Sequence, residues 1–295
     1  MVSSPAFSES LHIVTSLDPL EAKEYLAAFQ QESGISVTTI RLSAGEVIAR
    51  LQAEKGNPTQ SVWFGGPSLD YIAAEKMKLI EPWTKIYFGS LAFVSYKPFL
   101  EEHKLAAPTS WQDLLKPEFK NEIAVALPYT SGTGFTLYAG LVSLMGEEKA
   151  LQYWKQLDWN IRHYTKSGSG PVLEEGLGEE AIGIAFSQDI WRKATSRGFP
   201  VVVSYPKEGT PYEVGGVAMI KGAKEVEEAR KFIAWIAGPK GQGMMNQWGR
   251  YPILPGAKSP SGVGGPKEVK LITMDPKLGL KREELLNRWR QVIGK

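Results

Sequence analysis

Apolar and polar positions along the first part of the chain follow two different periods, one typical of strands and one typical of helices. Residues 11–14 form a short apolar run that predicts a buried strand, and residues 19–33 carry apolar side chains on one helical face. A strand-like segment at residues 35–42, a helix starting near Ser43 and a strand at residues 61–64 follow. This alternation predicts βαβ units and therefore a mainly parallel, doubly wound α/β sheet.

Polar residues mark where the first two helices begin. Asp18 followed by Pro19 and Glu21 predicts one capping box, and Ser43 followed by Glu46 predicts a second. In such a box the cap side chain and the Glu side chain each accept a backbone N–H that the helix leaves unpaired.

The middle of the chain also contains predicted strands and helices, but its sequence does not repeat that of the first part. We predict further strands at residues 122–127, 181–186 and 201–205, and helices at residues 135–145, 147–157, 188–196, 225–237, 241–248 and 283–293. Two apolar strands, at residues 86–96 and 214–220, are placed to connect the two halves as a hinge.

This order predicts two lobes, the first built from both ends of the chain and the second inserted into it. Residues 1–92 and 214–270 are expected to form lobe one, residues 93–213 lobe two, and residues 271–295 a C-terminal helix packed on the body.

Composition narrows the classes of function. The formal net charge is only +2, which disfavours a nucleic-acid partner because such binders concentrate basic residues on one face. With no cysteine and three scattered histidines, we expect no metal site and no cofactor. Residues 1–10 show no signal peptide, and no apolar run is long enough to span a membrane.

Loops rich in glycine and hydroxyl groups follow several predicted strands. Ligands of open α/β sheets bind at the carboxyl ends of strands, where helix N-termini favour anions. The candidate ligand-binding residues in these loops are Ser16, Trp63, Ser131, Gly132, Thr133, Ser167, Gly168 and Ser169. Each loop taken singly is also compatible with ordinary helix capping and a tight turn, and Trp63 with packing in the core.

Two carboxylates are candidate hydrogen-bond acceptors for the ligand. Asp189 follows the strand predicted at residues 181–186, and Glu213 precedes the second hinge strand. The alternatives are an N-cap role for Asp189 and a solvated loop carboxylate for Glu213. Because two carboxylates repel a simple inorganic anion, we expect a solute that also carries O–H or N–H groups.

Eight short blocks, in order, carry a resemblance to a known family. They read EAKEYLAAFQQESGI, LSAGEVIARLQAEKGNP, VWFGG, YTSGTG, YTKSGSGP, IGIAFSQD, EGTPYEVGG and GRYP. The chain resembles the ferric-binding-like periplasmic substrate-binding proteins of ABC importers, most of all the branch that binds hexose phosphates and aminoethylphosphonate. The resemblance implies a two-lobed type II periplasmic-binding fold that closes over its solute by a hinge.

The resemblance also implies roles for particular residues. The loops around Ser131–Thr133 and Ser167–Ser169 match those that surround the phosphoryl group, and Asp189 and Glu213 match ligand-contacting carboxylates. Gln188 stands where the hexose-phosphate branch usually has a histidine. The implied partners are a small anionic solute and a membrane permease, and the implied protein is an extracytoplasmic monomer.

Two other functions are possible for a chain with this pattern, a ferric-iron receptor and an enzyme. Ferric binders of the same group use adjacent tyrosines after the strand at residues 181–186, and these are missing here, although Tyr129, Tyr205, Tyr212 and Tyr251 remain as oxygen donors. An enzyme is disfavoured because the chain has no nucleophile elbow, no P-loop and no histidines at metal-ligand spacing.

Overall fold

Strands and helices alternate through most of the chain. The computed structural model describes residues 9–176 and 178–295. Residues 1–8, which make up most of the segment tested above for a signal peptide, lie outside the described residues. The strands are β1 (Ser10–Thr15), β2 (Ser36–Arg41), β3 (Val62–Pro67), β4 (Thr84–Tyr96), β5 (Ile123–Ala126), β6 (Ile161–Thr165), β7 (Ile182–Phe186), β8 (Val201–Ser204), β9 (Tyr212–Met219) and β10 (Tyr251–Pro252).

The helices pack on both sides of the strands. They are α1 (Pro19–Ser33), α2 (Ala44–Ala53), α3 (Ser68–Lys76), α4 (Lys97–Glu102), α5 (Gly132–Met145), α6 (Glu147–Leu157), α7 (Gly170–Gly176), α8 (Ser187–Lys193), α9 (Val226–Ala237), α10 (Pro239–Met244), α11 (Lys277–Leu280) and α12 (Arg282–Ile293). Short 3-10 helices lie at Trp111–Leu115, Pro117–Phe119, Thr195–Arg197 and Met245–Trp248. The α/β class predicted from the sequence is confirmed. Within the described residues, no helix is both long enough and apolar enough to cross a membrane.

The long strand β4 belongs to both halves of the hydrogen-bonded path β2-β1-β3-β9-β4-β7-β5-β6. Its residues from Thr84 to Ser90 pair with β9, on the side of β1, β2 and β3. From Leu91 onward it pairs instead with β7 and β8, on the side of β5 and β6. We propose that the two lobes meet where β4 changes partners, with β9 as the second crossing strand.

Each half of the path has its own core. One face of the first half buries Phe29, Phe64 and Phe232, and the opposite face buries Trp63 and Tyr71. The second half is packed around a larger cluster that includes Phe93, Phe135, Trp154 and Trp289. Because Trp289 lies on α12, the end of the chain is built into the second core.

Of the two predicted capping boxes, the structure contains one and lacks the other. At α2 the box is confirmed, with Ser43 N–H donating to Glu46 Oε2 at 3.0 Å. At α1, Asp18 accepts from Leu20 N–H as an N-cap, but the predicted role of Glu21 is wrong. Its carboxylate is buried and binds Arg250 instead, because a charged guanidinium is a stronger partner than a backbone amide.

Candidate ligand-binding site

A polar cavity lies between the two halves, at the carboxyl ends of the parallel strands. The space inside it is narrow, with a volume of about 50 Å³. The residues that line it are Ser16, Leu17, Arg41, Ser43, Ala44, Gly66, Pro67, Tyr87, Ser131, Gly132, Thr133, Gly168, Phe186, Asp189, Glu213 and Arg250.

Two long helices point their N-termini at this cavity from opposite halves. α2 presents Ser43 and Ala44, and α5 presents Ser131, Gly132 and Thr133. The first N–H groups of a helix have no partner within the helix and carry a partial positive charge. The two termini together therefore form an environment suited to an anion.

The loop before α7 packs directly on the start of α5. A Cβ atom added to Gly168 would lie 1.8 Å from Thr133 Oγ1 and 3.1 Å from Ser131 Oγ. Only a residue without a side chain allows this approach. The contact brings the two Ser/Thr–Gly loops together.

Polar contacts join the halves around the cavity. Arg192 binds Asp18 at 2.9 Å, and Lys166 binds Glu46 at 2.7 Å. Gly45 N–H donates to the carbonyl oxygen of Thr130 at 3.1 Å. These contacts connect the first turns of α1 and α2 to the second half.

The two carboxylates predicted as acceptors line the cavity and already have protein partners. Asp189 accepts from Arg192 at 3.0 Å. Glu213 Oε1 accepts from Gln188 Nε2 at 2.8 Å and lies 3.5 Å from Arg250 Nη1. Each carboxylate keeps lone pairs that a ligand donor can use, because a carboxylate accepts about four hydrogen bonds.

Arg250 is the centre of a buried charge network. Its guanidinium donates to both oxygens of Glu21, at 2.5 Å and 2.9 Å, and stacks over the ring of Tyr87 at 4.1 Å. The side chains of Arg250, Glu21 and Glu213 are 4%, 0% and 3% exposed. The network therefore connects α1, β9 and the segment before β10 beneath the cavity.

Burial raises the pKa of Glu213 to about 8, against the opposing influence of Arg250. A carboxyl group whose pKa is higher in the folded than in the unfolded chain stabilises the fold below its unfolded pKa, and loses that contribution as the pH rises toward 8. The free energy of unfolding should therefore fall between pH 5 and pH 8 more steeply in the parent than in Glu213→Gln.

Urea denaturation of both proteins across this range measures the two slopes. Taking the difference removes the titration of all groups that the proteins share. Equal slopes for the parent and Glu213→Gln would contradict the raised pKa.

The structure brings most of the sequence-predicted site residues into one cavity. Those that line it are Ser16, Ser131, Gly132, Thr133, Gly168, Asp189 and Glu213. Ser167 and Ser169 flank Gly168 without lining the cavity, and Gln188 lies behind it and orients Glu213. Trp63 is also behind the wall: it is completely buried, stacks on Tyr71 and donates from Nε1 to Ser16 Oγ at 3.1 Å.

Arg41, Tyr87 and Arg250 are among the lining residues that the sequence did not single out as site candidates. Arg41 ends β2, Tyr87 lies on β4, and Arg250 precedes β10. Arg41 lies two residues before the capping box at Ser43, and its position at the end of a predicted strand was the only available signal. Among the described residues, no group of three or more His, Asp or Glu side chains is placed to hold a metal ion.

A polar cavity between two α/β halves, at the carboxyl ends of their strands, is the arrangement of a two-lobed solute receptor. The chain belongs to the family of bacterial extracellular solute-binding proteins, whose profile matches residues 24–278. It is therefore a periplasmic-type solute-binding protein of the ABC transporter class, and not an enzyme.

Individual relatives support the same assignment. An uncharacterised protein of Haemophilus influenzae is 32% identical and covers 90% of this chain and 85% of the relative. A putative 2-aminoethylphosphonate-binding periplasmic protein of Salmonella typhimurium is 25% identical, over 84% of this chain and 81% of its own. The structure of the periplasmic binding protein AfuA from Actinobacillus pleuropneumoniae, with fructose-6-phosphate bound, has a TM-score of 0.93 and 29% identity, covering 97% of this chain and 99% of that chain.

Proposed function

We propose that this protein is an extracytoplasmic, monomeric receptor that captures a small organic anion, a phosphate ester or a phosphonate, and delivers it to a membrane permease. The observation that supports this most directly is the convergence of two helix N-termini, from opposite halves, on one polar cavity. The similarity to a binding protein that has fructose-6-phosphate bound, and to a putative 2-aminoethylphosphonate-binding protein, points to the same class of solute.

The anionic end of the solute would lie between α2 and α5. Ser43, Ser131 and Thr133 offer hydroxyl groups there, beside the first backbone N–H groups of both helices. Of these, Gly45 N–H already donates to Thr130 and Gly134 N–H to Ser131. Hydrogen bonds to a charged acceptor are about twice as strong as neutral ones. A phosphoryl group, with three acceptor oxygens, suits this arrangement.

The other end of the solute would carry hydroxyl or amino groups. Asp189 and Glu213 both line that part of the cavity. Asp189 accepts as a carboxylate, and Glu213, whose raised pKa of about 8 keeps it largely protonated at neutral pH, retains acceptor capacity on its carboxyl oxygens. A free inorganic anion would bring no donor for their remaining lone pairs and would be repelled by Asp189. A bifunctional solute satisfies both ends.

Ferric iron fits the cavity less well. The tyrosines named as alternative donors, Tyr129, Tyr205, Tyr212 and Tyr251, are not among the lining residues. Tyr87 does line the cavity, but burial raises the pKa of its phenol well above the ordinary value. Because ferric iron prefers ionised oxygen donors, a phenol that keeps its proton is a poor ligand.

Thermal unfolding with a panel of sugar phosphates, aminoalkyl phosphonates, carboxylates and ferric salts tests this function. A solute at about a hundred times its dissociation constant should add about 2.7 kcal/mol to the stability of the folded protein. We expect a phosphoryl compound with hydroxyl or amino groups to give the largest rise in Tm. A rise with ferric salts alone would contradict the proposal.

Asp189→Ala should weaken binding of the best solute in the panel by at least about 1 kcal/mol, because a ligand donor is left buried without an acceptor. Titration calorimetry measures the change. Glu227→Ala serves as the control, since Glu227 is an exposed carboxylate on α9 whose side chain is 70% exposed. Unchanged affinity of Asp189→Ala would remove Asp189 from the site.

A further inference from the structure

The cations around the cavity differ in how their charge is balanced. Arg250 shares its guanidinium between Glu21 and Glu213, and Arg192 shares its own between Asp18 and Asp189. Both are therefore neutralised by carboxylates of the protein. Their role is to hold acceptors in place, and they leave little charge for a ligand.

Arg41 is different. Its Nη1 donates to Ser43 Oγ at 3.1 Å, and no carboxylate of the described residues lies within ion-pairing distance of it. The side chain is half-buried and lines the cavity next to the start of α2. Arg41 also lines a second, more open pocket together with His163 and Lys166. Its side chain therefore lies between the cavity and this outer pocket.

We propose that Arg41 makes the receptor selective for the charge of the anionic group, favouring a doubly charged phosphoryl group over a singly charged sulfate ester or carboxylate. This inference rests on the proposed function and adds a specificity-determining residue to it. Each helix N-terminus contributes about half a positive charge. Together with the full charge of Arg41, α2 and α5 supply about two positive charges, which match a dianion.

The protonation of Arg41 does not change this balance. Burial lowers the pKa of Arg41, while Glu46, Asp189 and Asp18 act at longer range in the opposite direction. A guanidinium remains charged in proteins at any pH that leaves them folded. A singly charged ligand would therefore leave excess positive charge desolvated beneath the closed lobes, which is unfavourable.

The experiment compares pairs of probes that differ only in charge. Glucose 6-phosphate is paired with glucose 6-sulfate, and phosphoethanolamine with the sulfate ester of ethanolamine. At pH 7.5 we expect the parent to prefer the phosphate of the bound pair by about tenfold or more. In Arg41→Gln the phosphate should lose most of this advantage, while the sulfate ester changes little, and Arg41→Lys should retain part of the preference.

The pH dependence separates charge recognition from a structural role. The dianion of a phosphate monoester takes up one proton near a pKa of about 6 and becomes a monoanion, so the preference of the parent should shrink between pH 7.5 and pH 5. Glu46, Asp18, Asp189, Lys166 and His163 also face Arg41. The charge of the sulfate ester does not change over this range, so its affinity measures what the titration of these groups contributes. In Arg41→Gln the ratio of the phosphate affinity to the sulfate affinity should not change with pH.

Arg50→Gln is the matched control. Arg50 lies on α2, is held by Glu54 at 2.8 Å and does not line the cavity. It should keep the parental ratio and the parental pH profile. If the parent binds neither phosphate, the proposed function fails together with this inference. If the parent prefers the phosphate and Arg41→Gln keeps that preference, only the role of Arg41 is overturned.

Discussion

Replacing Arg250 with Gln is expected to lower the free energy of unfolding by about 3–5 kcal/mol, because removing one partner of a buried ion pair leaves an uncompensated charge. Here two carboxylates lose their partner at once, since Arg250 binds both Glu21 and Glu213. Arg250 also lies over the ring of Tyr87, and that packing would be lost. The same change should weaken solute binding, because Arg250 lines the cavity and Glu213 would keep only Gln188 as a partner.

Urea denaturation of the parent and Arg250→Gln measures the loss of stability. Arg230→Gln is the control, because Arg230 forms an exposed pair with Glu227 and its side chain is 63% exposed. Surface pairs contribute at most about 1 kcal/mol. If Arg250→Gln were no more destabilising than Arg230→Gln, the network would not stabilise the fold as described.

Gly132→Ala should weaken solute binding by about tenfold or more while changing the stability of the unliganded protein much less. A Cβ atom at this position would lie 2.6 Å from Pro67 Cδ and 2.7 Å from Asp70 Oδ2. Pro67 and Asp70 belong to the half opposite α5. The added methyl group therefore opposes closure of the two halves, and separation of the halves relieves the clash.

Titration calorimetry with the best solute of the panel, together with the Tm of the unliganded protein, tests this expectation. Gly243→Ala provides a control in α10, because no atom lies within 4 Å of a Cβ atom added there. The control should bind as tightly as the parent. If Gly132→Ala bound the solute as tightly as the parent, the close contact of Gly132 with Pro67 and Asp70 would not be needed for binding.

Local patterns were sufficient for most of the secondary structure. The strand β1, the cap at Asp18 and the capping box at Ser43 all follow from residues within a few positions of one another. Strand and helix periodicity then predicted the α/β class, because each element reports which of its faces is buried. Glycine and hydroxyl residues after strands also pointed to the loops at Ser131 and Gly168.

The partners of the charged residues could not be predicted in the same way. Glu21 occupies the third position of α1, where a local rule assigns it to the cap, yet Arg250, 229 positions further along the chain, binds it instead. A long-range ion pair outweighs a local hydrogen bond because both charges are buried and have no water to bind. Nothing in the spacing of the sequence marks such a pair.

The tertiary structure also decided which candidates reach the cavity. Trp63 and Ser16 were both predicted from their loops, but the indole packs on Tyr71 and only Ser16 lines the space. Arg41 enters because β2 lies beside β1 and ends at the same edge. A sequence determines which elements form through contacts between near neighbours, whereas the composition of a site depends on which strand ends the folded chain places side by side.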